Sequence, residues 1–268
     1  MQRVDGDARV RFALSGGITR LADLYQRGSA KIRLPKVYGT AATAVLINTA
    51  GGLTGGDRLA YDIRADAGAH AILTSQTAER AYRSAGGFAE VTGSFTVGDG
   101  ATLEWLPQET ILFEASGLRR SLRADLAGDA RLMMIESVLL GRKAMGETVR
   151  SIFFRDSWRL HREGRLVFAD DIRLDGDPAR SLSGPATAAG CLAVSTFVDC
   201  TPDAGDRIDM ARRLLAGLPE GTATAATSAW NGVLVARFVS VDGRGLRTAL
   251  TQFLTGYRAA PLPRVWSC

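Results

Sequence analysis

Apolar and polar residues alternate with a period of two through most of the first two thirds of the chain, as strands with one buried face do. Tyr61, Ile63 and Ala65 lead into a turn that ends in Gly68, and Ala69, Ala71 and Leu73 follow it. Val91, Phe95 and Val97 likewise share parity with Ala101, Leu103 and Trp105 across Gly98-Asp99-Gly100. A two-residue loop would put the two apolar sets on opposite faces. A three-residue loop pairs 97 with 101 and 95 with 103 and sets Gly100 at the left-handed position, so both segments read as β-hairpins. Superposing them aligns Gly68-Ala69 with Gly100-Ala101, Leu73 with Trp105 and Gln76 with Gln108, and a weaker third copy runs from Asp129-Ala130-Arg131-Leu132 to Met134. A turn, an alternating strand and a polar break therefore recur about every 30 residues, the spacing of stacked β units that cover one another's apolar faces. A plain β-meander is the competing account.

Helical spacing is confined to the last third. Ile208, Ala211, Leu214, Leu215 and Leu218 form one stripe, opening near Asp206 and closing at Gly217 or Pro219. Leu250, Phe253, Leu254 and Tyr257 form a second, opening near Thr248 and stopping at Gly256 or shortly after. Segments 151–160, 165–174, 191–199 and 230–241 read as strand, and the tail from Ala260 to Trp266 as extended because of its two prolines. The expected fold is mainly β: a stacked, β-helix-like arrangement of many short strands with about two α-helices in the C-terminal third. No long low-complexity linker divides the chain, so a single domain over 1–268 is expected, with a tail over about 259–268.

Composition narrows the chemistry. The 268 residues are 46% hydrophobic and 23% charged, with 30 glycines, enough to bury a large core and too apolar for disorder. The net charge of +5 is spread over separated pairs such as Arg119-Arg120, Arg142-Lys143 and Arg212-Arg213, which read as solvated surface rather than a nucleic-acid footprint. The first residues, MQRVDGDARVRF, hold no signal-peptide pattern, and no apolar run has the length of a spanning helix. The three cysteines, Cys191, Cys200 and Cys268, suit a reducing compartment, so a cytoplasmic protein is expected. Whether any of them binds metal is left open.

Enzyme signatures are missing: no dinucleotide fingerprint, nucleophile elbow, zincin helix or Cys-x-x-Cys pair occurs. Gly51 and Gly56 have the glycine spacing of a phosphate loop, but Asp57 and Arg58 stand where Lys and Ser or Thr are required. The run Asn48 to Arg58 then reads as a tight loop or as a partner-facing or ion-facing loop with Asp57 at its polar tip. His70 and His161 read as surface residues. Acids are more suggestive. Glu136 interrupts the apolar run Met133 to Leu140, so it must pair, hydrogen-bond or serve a passage, with Arg142 or Arg83 as the expected ion-pair partner.

The succession Arg20 to Gly28, Asn48 to Asp57, Thr74 to Ser84, Leu103 to Thr110, Glu136 to Glu147 and Ala229-Trp230-Asn231-Gly232 resembles the UreD (UreH) family of urease accessory proteins over roughly positions 12 to 266. The resemblance implies a non-enzymatic maturation factor, mainly β with two helices. It implies binding to apo-urease, association with UreF and the GTPase UreG, and help in delivering Ni²⁺ to urease through an internal passage, with no permanently bound cofactor. A conduit should hold the ion weakly at many points, which suits carboxylates better than thiolate or imidazole. On that reading Asp57, Glu104, Glu136 and Glu147 are the first lining candidates and Glu79 and Glu109 the next. Gly51, Gly52, Gly55, Gly56, Tyr82, Arg83 and Trp266 are partner-facing candidates. Neither nucleic acid nor membrane is an expected partner. A tight nickel store and a β-rich enzyme are the rival classes.

Overall fold

The computed structural model describes residues 3–37, 39–141 and 146–267. Two sheets face each other. One holds β1 (Asp5–Ser15), β2 (Ile18–Arg27), β5 (Arg58–Ala65), β8 (Ala89–Val97), β11 (Gly117–Leu126), β13 (Ile152–Arg162) and β14 (Arg165–Gly176), in the order β14-β13-β11-β8-β5-β1-β2. The other holds β3 (Ala30–Arg33), β4 (Ala42–Asn48), β6 (His70–Ser75), β9 (Thr102–Trp105), β12 (Arg131–Leu140), β15 (Ala193–Asp199), β16 (Thr224–Trp230) and β17 (Val233–Ser240), in the order β16-β17-β15-β12-β9-β6-β4-β3. Two short strands, β7 (Glu79–Ala81) and β10 (Thr110–Leu112), pair beside the far end of β12.

The repeat is a stack of parallel coils. The steps β5 to β6, β8 to β9 and β11 to β12 each carry the chain from one sheet to the other, and the copies lie in register: Ala65 beside Val97 beside Leu126, and Leu73 beside Trp105 beside Met134. This is the alignment read from the sequence, in the manner of a β-solenoid. The hairpins, however, do not exist. Val97 does not pair with Ala101, because β8 pairs with β5 and β11 while β9 pairs with β6 and β12. The shared parity has a different cause: an odd-length corner delivers both apolar sets to the same interior from opposite sides. Phe95 and Trp105 accordingly meet edge to face with ring centroids 4.9 Å apart. The corners themselves stack, Gly68 N donating to Asp99 O at 2.9 Å and Gly100 N to Asp129 Oδ1 at 2.6 Å. Gly98 is required there, since a Cβ would lie 2.7 Å from Ala67 N in the neighbouring corner.

A second apolar layer covers the outer face of the β15–β17 side. It comprises α2 (Ile208–Ala216), preceded by a 3-10 turn at Gly205–Arg207, and α3 (Gly243–Arg258). Phe253 of α3 packs against Phe197 and Phe238 at 5.4 and 5.2 Å between ring centroids. Helix α3 begins well before the expected Thr248. Gly243 and Gly245 are weak helix formers that hide its start, yet a Cβ at 245 would come within 2.5 Å of Thr222 O. Asp242 caps it, accepting from Gly245 N at 2.8 Å. The short helix α1 (Pro178–Ser181) has no counterpart in the helical periodicity, and β16 lies before the strand that the pattern marks over 230–241. β16, built from Thr, Ala and Ser before Trp230, lacks the large apolar residues that mark a strand in sequence. The tail is not extended to its end: Arg264–Ser267 forms a 3-10 turn with Trp266 buried. Among the described residues no helix is long and apolar enough to cross a membrane.

Candidate functional site: a buried charge triad beside an interior cavity

Three charged side chains stand at positions whose strand parity points inward. Arg120 alternates with Leu118 and Leu122 on β11, Asp156 with Phe154 and Trp158 on β13, and Glu136 with Met134 and Val138 on β12. Arg120 and Asp156 are direct cross-strand neighbours, while Glu136 faces them from the opposite sheet. All three are 5% exposed or less. Arg120 donates Nε to Asp156 Oδ1 at 3.0 Å and Nη2 to Asp156 Oδ2 at 2.6 Å, a two-bond fork. Its Nη1 bonds Glu136 Oε2 and lies 3.3 Å from Thr110 Oγ1. The second Glu136 oxygen accepts from Trp105 Nε1 at 2.8 Å.

Two carboxylates share one guanidinium here, so the triad carries a net negative charge when fully ionised. Burial disfavours the Arg120 charge, but Asp156 and Glu136 outweigh it and raise the arginine further. For Glu136, burial is the largest influence and the Asp156 charge adds to it. Arg120 and the Trp105 hydrogen bond only partly offset the two, so its pKa is raised to about 7. The folded state therefore holds this proton more tightly than the unfolded chain. The associated stability is fully present below the ordinary value of 4.5 and is lost as pH rises through about 7. Glu136→Gln is expected to flatten that decline: urea-denaturation stability of the variant should change less between pH 4.5 and 7.5 than that of the parent. An unchanged slope would contradict the assignment.

A cavity of about 110 Å³ lies against the triad. Its lining joins apolar side chains from both sheets, among them Leu59, Tyr61, Val91, Trp105, Leu118 and Leu122, with polar ones that include Arg120 and Glu136. Its lining continues to the partly exposed segment Ser75–Arg80, which forms a mouth at the surface. Glu79 stands there, accepting from Asn48 Nδ2 at 3.1 Å and from Arg80 N at 2.9 Å. Burial raises its pKa against those two bonds. Burial, then the nearby charge of Glu79, likewise raises the Tyr61 phenol. Gln108, also in the lining, donates to Gln76 O at 3.2 Å and to Val265 O at 2.7 Å, linking the cavity wall to the C-terminal tail.

Of the six acids singled out in the sequence, the structure brings Glu79 and Glu136 to this cavity and places the other four elsewhere. Asp57 is not a loop tip. It is 3% exposed and accepts from Val4 N at 2.9 Å and Thr54 N at 2.8 Å, organising its own loop. Glu104 lies on the outer face of its sheet, bonded to Arg258 and, at 2.9 Å, to His70 Nε2. Burial alone would raise Glu104, but His70 and Arg258 more than offset it and hold it below the usual range. Glu109 is 3.3 Å from Arg247, and Glu147 accepts from Glu114 N at 3.2 Å in the loop before β13.

The partner-facing candidates divide as well. Gly51, Gly56, Tyr82 and Arg83 are exposed. Gly52 and Gly55 are buried by the chain's own segment 80–87: a Cβ at 52 would sit 2.2 Å from Tyr82 Cε2, and one at 55 would sit 2.1 Å from Ser84 Oγ. Trp266 is buried rather than partner-facing, donating Nε1 to Leu106 O at 3.1 Å. Cys200 is buried, which pushes its thiol up to about 12, and Cys191 is half-buried. Arg142 and Cys268 lie outside the described residues. The partner of Glu136 is Arg120, although the pair Arg119-Arg120 reads in the sequence as solvated surface. Both Arg120 and Asp156 carried a usable signal, a charge at the inward phase of an alternating strand, and pairwise reading of Arg119-Arg120 obscured it.

Fold and interior thus define a β-solenoid protein whose buried charge lies between two sheets rather than in a catalytic cleft. Among the described residues no group of three or more His, Cys, Asp or Glu is placed to hold a metal ion. The chain belongs to the UreD family of urease accessory proteins: the family model described as UreD urease accessory protein matches residues 4–267. It is 47% identical over 268 residues to a urease accessory protein UreD of Methylobacterium sp. (strain 4-46), covering 99% of this chain and 95% of that protein. It is 43% identical over 267 residues to the UreD of Rhizobium leguminosarum bv. trifolii (strain WSM2304), covering 99% and 96%. To the UreD of Chelativorans sp. (strain BNC1) it is 46% identical over 270 residues, covering 100% and 95%. The protein is accordingly an accessory, non-enzymatic factor of urease maturation.

Proposed function

We propose that this chain is the scaffold that binds apo-urease and, together with UreF and the GTPase UreG, passes Ni²⁺ to the urease active site through its own interior, in the cytoplasm. The observation that supports the internal route is the cavity between the sheets, whose lining holds both the half-buried Glu79 and the buried Glu136. Nickel is cargo here. Two carboxylates in one open cavity offer the ion weak contacts rather than a closed cage, which favours onward movement over storage. Family membership supports the association with urease, and the missing phosphate loop leaves nucleotide hydrolysis to a partner.

Ala78, partly exposed in the mouth, provides the test. Ala78→Trp should block entry while leaving both sheets intact. Urease matured with the variant is expected to contain markedly less nickel, by metal analysis of the purified enzyme, although the accessory complex still co-purifies with apo-urease. Full nickel loading by a folded Ala78→Trp chain would overturn the passage.

A further inference from the structure

The triad holds its three members unequally. Arg120 is tied to Asp156 by two parallel bonds on adjacent strands, whereas it reaches Glu136 across the interior with one nitrogen. Glu136 would not be stranded by losing that nitrogen, because Trp105 Nε1 still bonds its other oxygen at 2.8 Å. The triad also divides the interior. On the far side Arg120, Glu136 and Asp156 line a second void of only about 10 Å³, bounded by Trp158, Ile172, Val194 and Thr196. That is room for roughly one water. Arg120 and Glu136 line both this void and the 110 Å³ cavity, so the pair stands between the two.

We infer that Arg120 is a positioning residue that gates the interior: anchored on Asp156, it serves as the resting countercharge of Glu136 and yields that carboxylate to a divalent cation arriving through the cavity. The inference rests on the proposed passage and adds its control point. Charge arithmetic supports the exchange. With Glu136 ionised, two carboxylates and one guanidinium leave the site negative, so it attracts a cation. Once a divalent ion is bound beside the guanidinium the site is positive, so it does not keep the ion. The fork to Asp156 sets where the guanidinium retreats, and a lysine, with a single point-like head, lacks that fork.

The test uses the full-length chain and NiCl₂ as probe. Arg120→Lys and Arg120→Met are expected to bind Ni²⁺ about tenfold or more tightly than the parent in equilibrium dialysis, a coupling of ordinary size. Adding Glu136→Gln to either should return the affinity to the parental level. A folded Arg120 variant with no gain in affinity, or a gain that survives Glu136→Gln, would overturn the inference. If neither Arg120 variant folds, Glu136→Gln alone decides: nickel transfer in the urease complex should fall about tenfold with the complex still assembled, and unchanged transfer would overturn it. Ala78→Trp separates the two ideas. If it blocks loading while the Arg120 variants show no affinity gain, the passage stands and the gate falls; if loading is unaffected, the passage itself falls.

Discussion

Replacing Arg120 with Met is expected to cost about 3 to 5 kcal/mol of folding stability at neutral pH, the loss typical of removing one partner from a buried ion pair. The reason is what remains. Glu136 and Asp156 would face each other across the interior, each at most 5% exposed, with Trp105 and Thr110 as the nearby polar groups. The loss should shrink at lower pH, where Glu136, its pKa raised by burial, takes up a proton and no longer needs a cation. Urea denaturation at pH 7.5 and 5 measures both effects, with a constant slope against denaturant as the sign that only stability has moved. The triple variant Arg120→Met, Glu136→Gln, Asp156→Asn should recover a large part of the deficit, because no unpaired charge is left buried. A single-variant loss below about 1 kcal/mol, the range of surface ion pairs, would mean the triad is far better hydrated than its burial indicates.

The second large effect is expected at the chain's end. Trp266→Ala should destabilise the fold by about 3 to 5 kcal/mol, as for other buried large-to-small aromatic changes. Trp266 fills the second core, and its indole N–H satisfies Leu106 O. Arg247 sits over the ring at 5.6 Å to the centroid and donates to Trp266 O at 3.0 Å. Arg247 also bonds Gln108, whose amide holds Val265 O while lining the interior cavity. Detaching the tail should therefore loosen the cavity wall as well. Trp266→Phe, which keeps most of the packing and loses the donor, should cost only about 1 kcal/mol. Denaturation curves give the energies, and limited proteolysis should show cleavage near Pro263 in the Ala variant alone. Equal stability of parent and Trp266→Ala would show that the tail is an appendage rather than part of the core.

The stack of coils was written in the sequence plainly enough to be aligned residue by residue, down to Leu73 beside Trp105 and Gln76 beside Gln108. Inward and outward faces were equally plain, because side chains alternate strictly along an extended backbone. Family membership could be read too, since its motifs run in order along nearly the whole chain. The error lay in pairing. Parity across Gly98-Asp99-Gly100 fits a hairpin and a corner equally well, for both keep Phe95 and Leu103 on one interior. Strand partners are chosen by backbone hydrogen bonds between distant segments, and the side-chain pattern within one turn carries no record of them.

The same distinction explains the site. Glu136 was conspicuous because it breaks an apolar run, yet nothing local names its counterion; Arg120 lies 16 positions away on the facing sheet and Asp156 a further coil along. Glu104, between the inward Leu103 and Trp105, is outward by alternation alone. Asp57, Glu109 and Glu147 carry no such local sign, and their partners are set by contacts that only the fold creates: two amides for Asp57, Arg247 for Glu109, Glu114 for Glu147. By itself, then, the sequence determined the repeat, the faces of the strands and the family, because these follow from local periodicity and ordered motifs. Which charges meet, and where the interior opens, was decided by the tertiary structure alone, because both depend on which distant strands the stacked coils bring within hydrogen-bonding reach.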